Sequence, residues 1–316
     1  MTKISAMAAM GLALVFAFGP VGAQSTGGGA KPTTQKERQL EKTERNQAIK
    51  DATREFRDFV RDLRIEYRDR ITDLEAEFEQ RRVELRAEYD AKIAAAEAER
   101  QKKVAELLTG PDTRLDEATI EGLRAQAQRF SDELFNLRKE AAEALHQARI
   151  TKEMRQNEIL TEQDRLALEK ASSLGLTQEY SPILATSAGE ALTEKEERWN
   201  ERERQEVLRL EDRNAKLLNE YTTGEALRTW EIENLKEDFK LEWDEKTELH
   251  VLDSEQFFYD SLAAYAVPAG SFDQKKLASK ITELSKRRKL IQIRFKEIRD
   301  RNRMERREEK TEILAY

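Results

Sequence analysis

The sequence predicts an all-α protein: an elongated antiparallel coiled-coil hairpin with a small helical cap and a third, basic C-terminal helix. Three observations carry that expectation. Residues 36–108 run without Pro or Gly until "TGPD", apolar residues recur at a spacing of eleven, and 38% of the chain is charged. A globular enzyme of 316 residues normally carries less charge and more than 12 Gly and 5 Pro. Disordered chains share the polarity but lack regular apolar spacing. Long helices need only a narrow apolar stripe and leave the rest charged.

The first long helix is assigned to 36–108. Its apolar residues fall on three columns: Phe56, Tyr67, Phe78, Tyr89, Arg100; Val60, Ile71, Arg82, Ile93, Val104; and Leu63, Leu74, Leu85, Ala96, Leu107. Eleven residues in three turns is about 3.67 per turn, which keeps one seam on a nearly straight helix. Arg82 and Arg100 interrupt the columns and are expected to lay their stems on the seam with their heads in water. Residues 109–190 read as a small helical cap and loop, with Asp112 or Thr113 as N-cap and with Gly175, Pro182 and Gly189 breaking the chain.

A second long, acidic helix is assigned to 191–266, with Trp199, Leu210, Tyr221, Ile232 and Trp243 again eleven apart and one interior glycine, Gly224. If the two columns face each other antiparallel and end to end, Phe56 meets Trp243, Phe78 meets Tyr221, and Arg100 lies against Trp199. A turn at 267–271 leads to the C-terminal helix, 272–316. Its apolar residues Leu277, Ile281, Leu284, Ile291, Phe295 and Ile298 step by four and three, with Arg288 in the vacant place. Residues 274–310 hold fifteen basic and six acidic side chains, whereas 190–260 hold eleven basic and twenty-two acidic. Folding the basic helix back along the acidic one accounts for both.

Residues 1–23 have the form of a secretory signal: Lys3, an apolar run from Ala8 to Phe18, a Gly19-Pro20 break, and small residues up to Ala23. Cleavage near Ala23 would leave a periplasmic or secreted protein with a flexible leader at 24–35. The competing reading is an uncleaved anchor, since Ile4 to Ala23 just reaches the ~20 residues a bilayer requires. The chain has no cysteine, so disulfides and thiolate metal sites are excluded.

No catalytic, cofactor or metal site is expected. The two histidines, His146 and His250, stand on separate helices and lack a second His at metal-binding spacing. No glycine-rich phosphate loop or nucleophile elbow is present. Two regions remain as candidate sites. "EQFFYDSLAAYAVPAG" clusters Phe257, Phe258, Tyr259, Leu262 and Tyr265. It reads either as a local core, where the last helix, the acidic helix and the start of the first meet, or as a patch that binds a partner. The basic run supplies Lys286, Arg287, Arg288, Lys289 and Arg294. These are candidate contacts to an anionic surface unless the acidic helix already neutralises them. Nucleic acid is not expected as a partner for a chain whose net charge is −7.

Within 115–170, "ILTEQDRLALEK" resembles the Leu-Thr-x-x-Gln pattern of the periplasmic Spy/CpxP-like stress chaperones, with Leu160-Thr161-Glu162-Gln163 one residue short of it. The resemblance spans under a fifth of the chain and implies an all-helical holdase. The residues themselves point to an exported, non-enzymatic coiled-coil protein with a structural or adaptor role in the bacterial envelope. It would act through a protein partner or through self-association along its helical seams. A periplasmic holdase-type chaperone that binds unfolded clients is the alternative.

Overall fold

The computed structural model describes residues 34–108, 117–186, 191–264 and 274–315. The signal segment, nearly all of the leader, the N-cap assigned at 112–113 and the turn at 267–271 lie outside them. The protein is all-α, and its described residues form four helices: α1 (Gln35–Leu108), α2 (Glu117–Ser173), α3 (Glu194–Ala264) and α4 (Gln274–Ala315). At about 1.5 Å per residue, α1 and α3 each extend over roughly 105–110 Å.

Local chemistry sets the helix ends. Thr34 opens α1 and Thr193 opens α3 with the same reciprocal cap. Glu37 N donates to Thr34 Oγ1 while Thr34 N donates to Glu37 Oε2; Glu196 and Thr193 repeat the exchange. Gly175 closes α2. Its φ of +70° is a left-handed conformation that costs glycine nothing, and Leu176 N donates back to Ala171 O at 3.0 Å.

The eleven-residue columns of α1 are its inner face. Every column position whose side chain is described is buried or half-buried. Phe56, Val60, Leu63, Tyr67, Leu74, Leu85 and Ala96 are the buried ones. The residue across the seam is not the one expected. Segment 109–190 is no small cap: within it, α2 is a 57-residue helix that returns along α1. The ion pairs Lys170–Glu55, Arg70–Glu162 and Arg138–Glu97 link residues 115, 92 and 41 apart. That steady closing of separation defines an antiparallel pair.

α3 then runs antiparallel to α2 and parallel to α1. Contacts from α1 to α3 keep a near-constant separation: 164 for Lys42–Glu206, 158 for Arg45–Glu203 and 156 for Arg64–Glu220. The end-to-end hairpin of α1 with α3 is therefore replaced by a turn-back through α2. Phe56 meets Tyr221 edge-on at 5.8 Å rather than Trp243. Trp243 meets Phe135 of α2 at 5.8 Å, and Phe78 lines a groove with Ala144, Gln147 and Thr151 of α2.

A hydrophobic core sits where α1, α2 and α3 come together: Phe56, Val60, Leu63, Tyr67, Ala167, Ala171, Leu176, Leu218 and Tyr221. Gly224 is explained by a close approach. A Cβ there would stand 2.7 Å from Asp164 Oδ2 and 2.8 Å from Arg228 Nη1. Arg228 donates to Asp164 at 2.7 Å and to Asn157 Oδ1 at 2.7 Å, tying α3 to α2.

α4 packs back along α3 through the stripe the sequence marks. Leu284 and Phe295 are buried, and Leu277, Ile281, Arg288, Ile291 and Ile298 are half-buried. Beyond Ile298 the stripe turns polar, through Asn302 and Arg306.

Candidate functional site

Basic side chains of α4 divide into two sets. One set forms a ladder with acidic residues of α3: Arg288 with Asp253, Arg294 with Glu248, Arg299 with Glu245, Arg306 with Asp238 and Glu237, and Lys310 with Glu231. Each rung advances on α4 as it retreats on α3, so charge and antiparallel register agree. Trp230 joins the ladder, donating through Nε1 to Glu309 at 2.8 Å. Arg288 and Arg294 of the candidate anionic-surface set thus point to α3.

Lys286, Arg287 and Lys289, the other three candidates, are exposed. Lys286 and Lys289 make no ion pair among the described residues, and neither does Lys296 two turns further on. Arg287 lies near Glu283, whose carboxyl falls below its usual range chiefly through its hydrogen bond and ion pair with Lys280. Between Leu284 and Lys296 there is no acidic residue.

Much of the aromatic cluster is occupied by neighbouring helices. Phe258 is buried under the Arg124 guanidinium of α2 at 4.9 Å, and Phe257 is half-buried with Arg100 of α1 at 3.7 Å. Tyr259 is half-buried and stacks edge-on to Phe258 at 5.3 Å. The side chain of Leu262 and all of Tyr265 lie outside the described residues. Because α3 runs parallel to α1, the cluster meets the end of α1, not its start. Arg100 still finds an aromatic face, but the ring is Phe257 instead of Trp199. Trp199 is covered by Lys42 at 5.3 Å.

A polar cradle at the opposite end of α3 escapes sequence reasoning. Residues 180–185 run as a non-helical strip held by its main chain. Glu211 accepts from Tyr180 N at 2.9 Å, Trp199 Nε1 donates to Ile183 O at 3.2 Å, and Asn200 bonds both N and O of Ala185 at 2.7 and 3.2 Å. Glu203, only 1% exposed, lies between Arg45 at 2.6 Å and Lys42 at 3.0 Å. Burial opposes the charge on Lys42, but hydrogen bonds and attraction to Glu206 and Glu203 more than offset it, so its pKa is raised. The only sequence signal was Asn200 and Glu203 sharing a helix face with Val207. A polar pair on a charged helix reads as solvated surface unless the strip that covers it is known.

Both histidines are packed against rings. His250 hydrogen-bonds Asp132 through Nε2 at 2.6 Å and stacks on Phe135 at 4.1 Å; His146 stacks on Phe239 at 3.9 Å. Among the described residues no group of three or more His, Asp or Glu side chains is placed to hold a metal ion, and no helix is long and apolar enough to cross a membrane. No family model, curated protein or solved structure matches this chain.

Proposed function

We propose that this protein is an exported, non-enzymatic helical rod with a structural or adaptor role in a bacterial envelope. One observation carries the reading: the apolar seams close within the chain, and what faces outward is charge. Among the described residues, large exposed apolar side chains such as Leu40, Ile65, Val83, Met154, Leu208 and Val251 stand apart along the helices, and the neighbouring pair Leu290 and Ile293 on α4 is too small to hold an unfolded client. A holdase that grips unfolded clients needs a contiguous apolar surface, and scattered residues of this kind do not make one. Export rests on the form of residues 1–23.

Suppression of aggregation of an unfolded model protein separates the two readings. An adaptor leaves aggregation unchanged at equimolar ratio. Strong suppression at that ratio would overturn the adaptor and make the protein a holdase. N-terminal sequencing of the protein from its native host should begin at Gln24; an intact Met1 in a membrane fraction would refute cleavage.

A further inference from the structure

We propose that the outward face of α4 between Lys286 and Lys296 is a docking surface for an anionic lipid bilayer, on which the helix lies parallel to the membrane plane. The inference deepens the adaptor reading, on which it rests, by naming what the rod is held against.

The argument begins with helix geometry. Leu284, Arg288, Ile291, Phe295 and Ile298 turn toward α3, and α4 packs closely on no other described helix. The opposite face carries Lys286, Lys289, Leu290, Ile293 and Lys296, spaced so that all five share one side over three turns. All five are exposed, Leu290 at 66% and Ile293 at 54%. The ladder to α3 fixes this orientation, because Arg288 and Arg294 are engaged on its flanks. Neutralisation by α3 therefore accounts for Arg288 and Arg294 and leaves Lys286, Lys289 and Lys296 unexplained.

The composition of this face selects the occupant. Two large apolar side chains lie among three lysines, with Glu283 and Glu297 at the two ends of the stretch and no acid between Leu284 and Lys296. An interfacial helix has this chemistry: apolar side chains enter the headgroup–acyl boundary while lysine stems lie along it and place their ammonium groups at the phosphates. Nucleic acid would use the charge but leave Leu290 and Ile293 without a role. An acidic protein would need matched geometry, whereas a fluid anionic bilayer accepts a diffuse row of point charges.

The test is co-sedimentation of the full chain with phosphatidylglycerol–phosphatidylcholine vesicles, compared with pure phosphatidylcholine. Binding is expected only with the anionic lipid and should weaken as salt rises. Each lysine near such a surface is worth about fivefold in affinity, so Lys286→Gln/Lys289→Gln/Lys296→Gln should lose on the order of a hundredfold. Arg202→Gln/Arg209→Gln/Arg213→Gln on exposed positions of α3 removes the same charge and should change binding several-fold at most. Leu290→Ser/Ile293→Ser should weaken binding at least tenfold. Circular dichroism verifies that each variant is folded. Equal losses in the two charge variants would overturn the proposal, as would binding indifferent to lipid charge. Unchanged affinity in the Leu290/Ile293 variant would also overturn it, leaving an acidic protein or nucleic acid as the occupant. If the chain ignores anionic vesicles and still fails to suppress aggregation, the lipid surface falls while the adaptor stands. Suppression of aggregation removes the adaptor independently.

Discussion

The three-helix end around Phe56 and the two-helix seam between α3 and α4 are built from the same residue types and hold together by different physics. At the first, aromatic and aliphatic side chains from α1, α2 and α3 close around a ring that is 1% exposed. At the second, a stripe with only Leu284 and Phe295 buried is flanked by ion pairs whose partners remain partly in water. Burial of apolar surface is nearly indifferent to salt, and exposed ion pairs contribute at most about 1 kcal/mol each and are screened. The lesson is that the α3–α4 register is specified by charge, while the stability of the rod resides mainly in its three-helix end.

Substitutions and changes of condition can break or sharpen that contrast. The largest effect belongs to Phe56→Ala, expected to cost about 4 kcal/mol in urea denaturation, because three helices line the cavity it leaves. Phe295→Ala in the two-helix seam should cost about half as much; equal costs would erase the distinction. Glu203→Ala comes next, at about 3 kcal/mol. It leaves the half-buried Arg45 without its carboxylate beside a polar strip, with Lys42 retaining only Glu206. Glu203→Gln should recover part of this by keeping an acceptor for Arg45.

Gly224→Ala tests a smaller effect of opposite expectation. In an exposed helix the change would stabilise by about 1 kcal/mol. Here the new methyl displaces the Asp164–Arg228 pair, and a net loss of about 1 kcal/mol is expected by thermal denaturation. Raising the salt should then act on one seam alone: amides of α4 should exchange faster in molar NaCl while those around Phe56 stay protected. The smallest effect is on pH. Burial, reinforced by Arg149 and opposed by Glu242, lowers the His146 pKa below its usual 6.5. The fold thus prefers the neutral ring. Its contribution is full above the unfolded value of about 6.5 and is lost as pH falls through the folded one. The wild type should therefore lose more thermal stability than His146→Gln between about pH 7 and pH 5.

The seam of α1 was legible because large side chains repeat at a period that matches a straight helix, and burial follows those columns wherever the structure describes them. The partner was not legible. A period of eleven places residues on a face without saying whether the facing helix is parallel or antiparallel. The helix that fills the seam of α1 also disguises itself: Ala127, Ala167 and Ala171 are among its most buried residues, and alanine marks no period. The α3–α4 pairing was read from opposite charge, a signal with a sign as well as a spacing. Of the candidate site residues, the basic set could be grouped from sequence only by its place along the chain. Sequence could not divide Arg288 and Arg294 from Lys286 and Lys289, because that division depends on which face the partner helix takes.

The length of α4 has a mechanical consequence. Its 42 residues lie against the later part of α3, and the last rung of the ladder joins Lys310 to Glu231. Beyond that rung α3 continues without α4, and Gly224 stands within two turns of the step. A beam that changes cross-section concentrates its bending at the change, and a residue without a side chain is the softest place in the helix to put it. Lateral load on the rod is therefore expected to flex it near Gly224. Spin labels on α3 at 209 and 240, spanning the step, should report a broader distance distribution than equally spaced labels at 229 and 260; equal widths would mean that the rod bends uniformly.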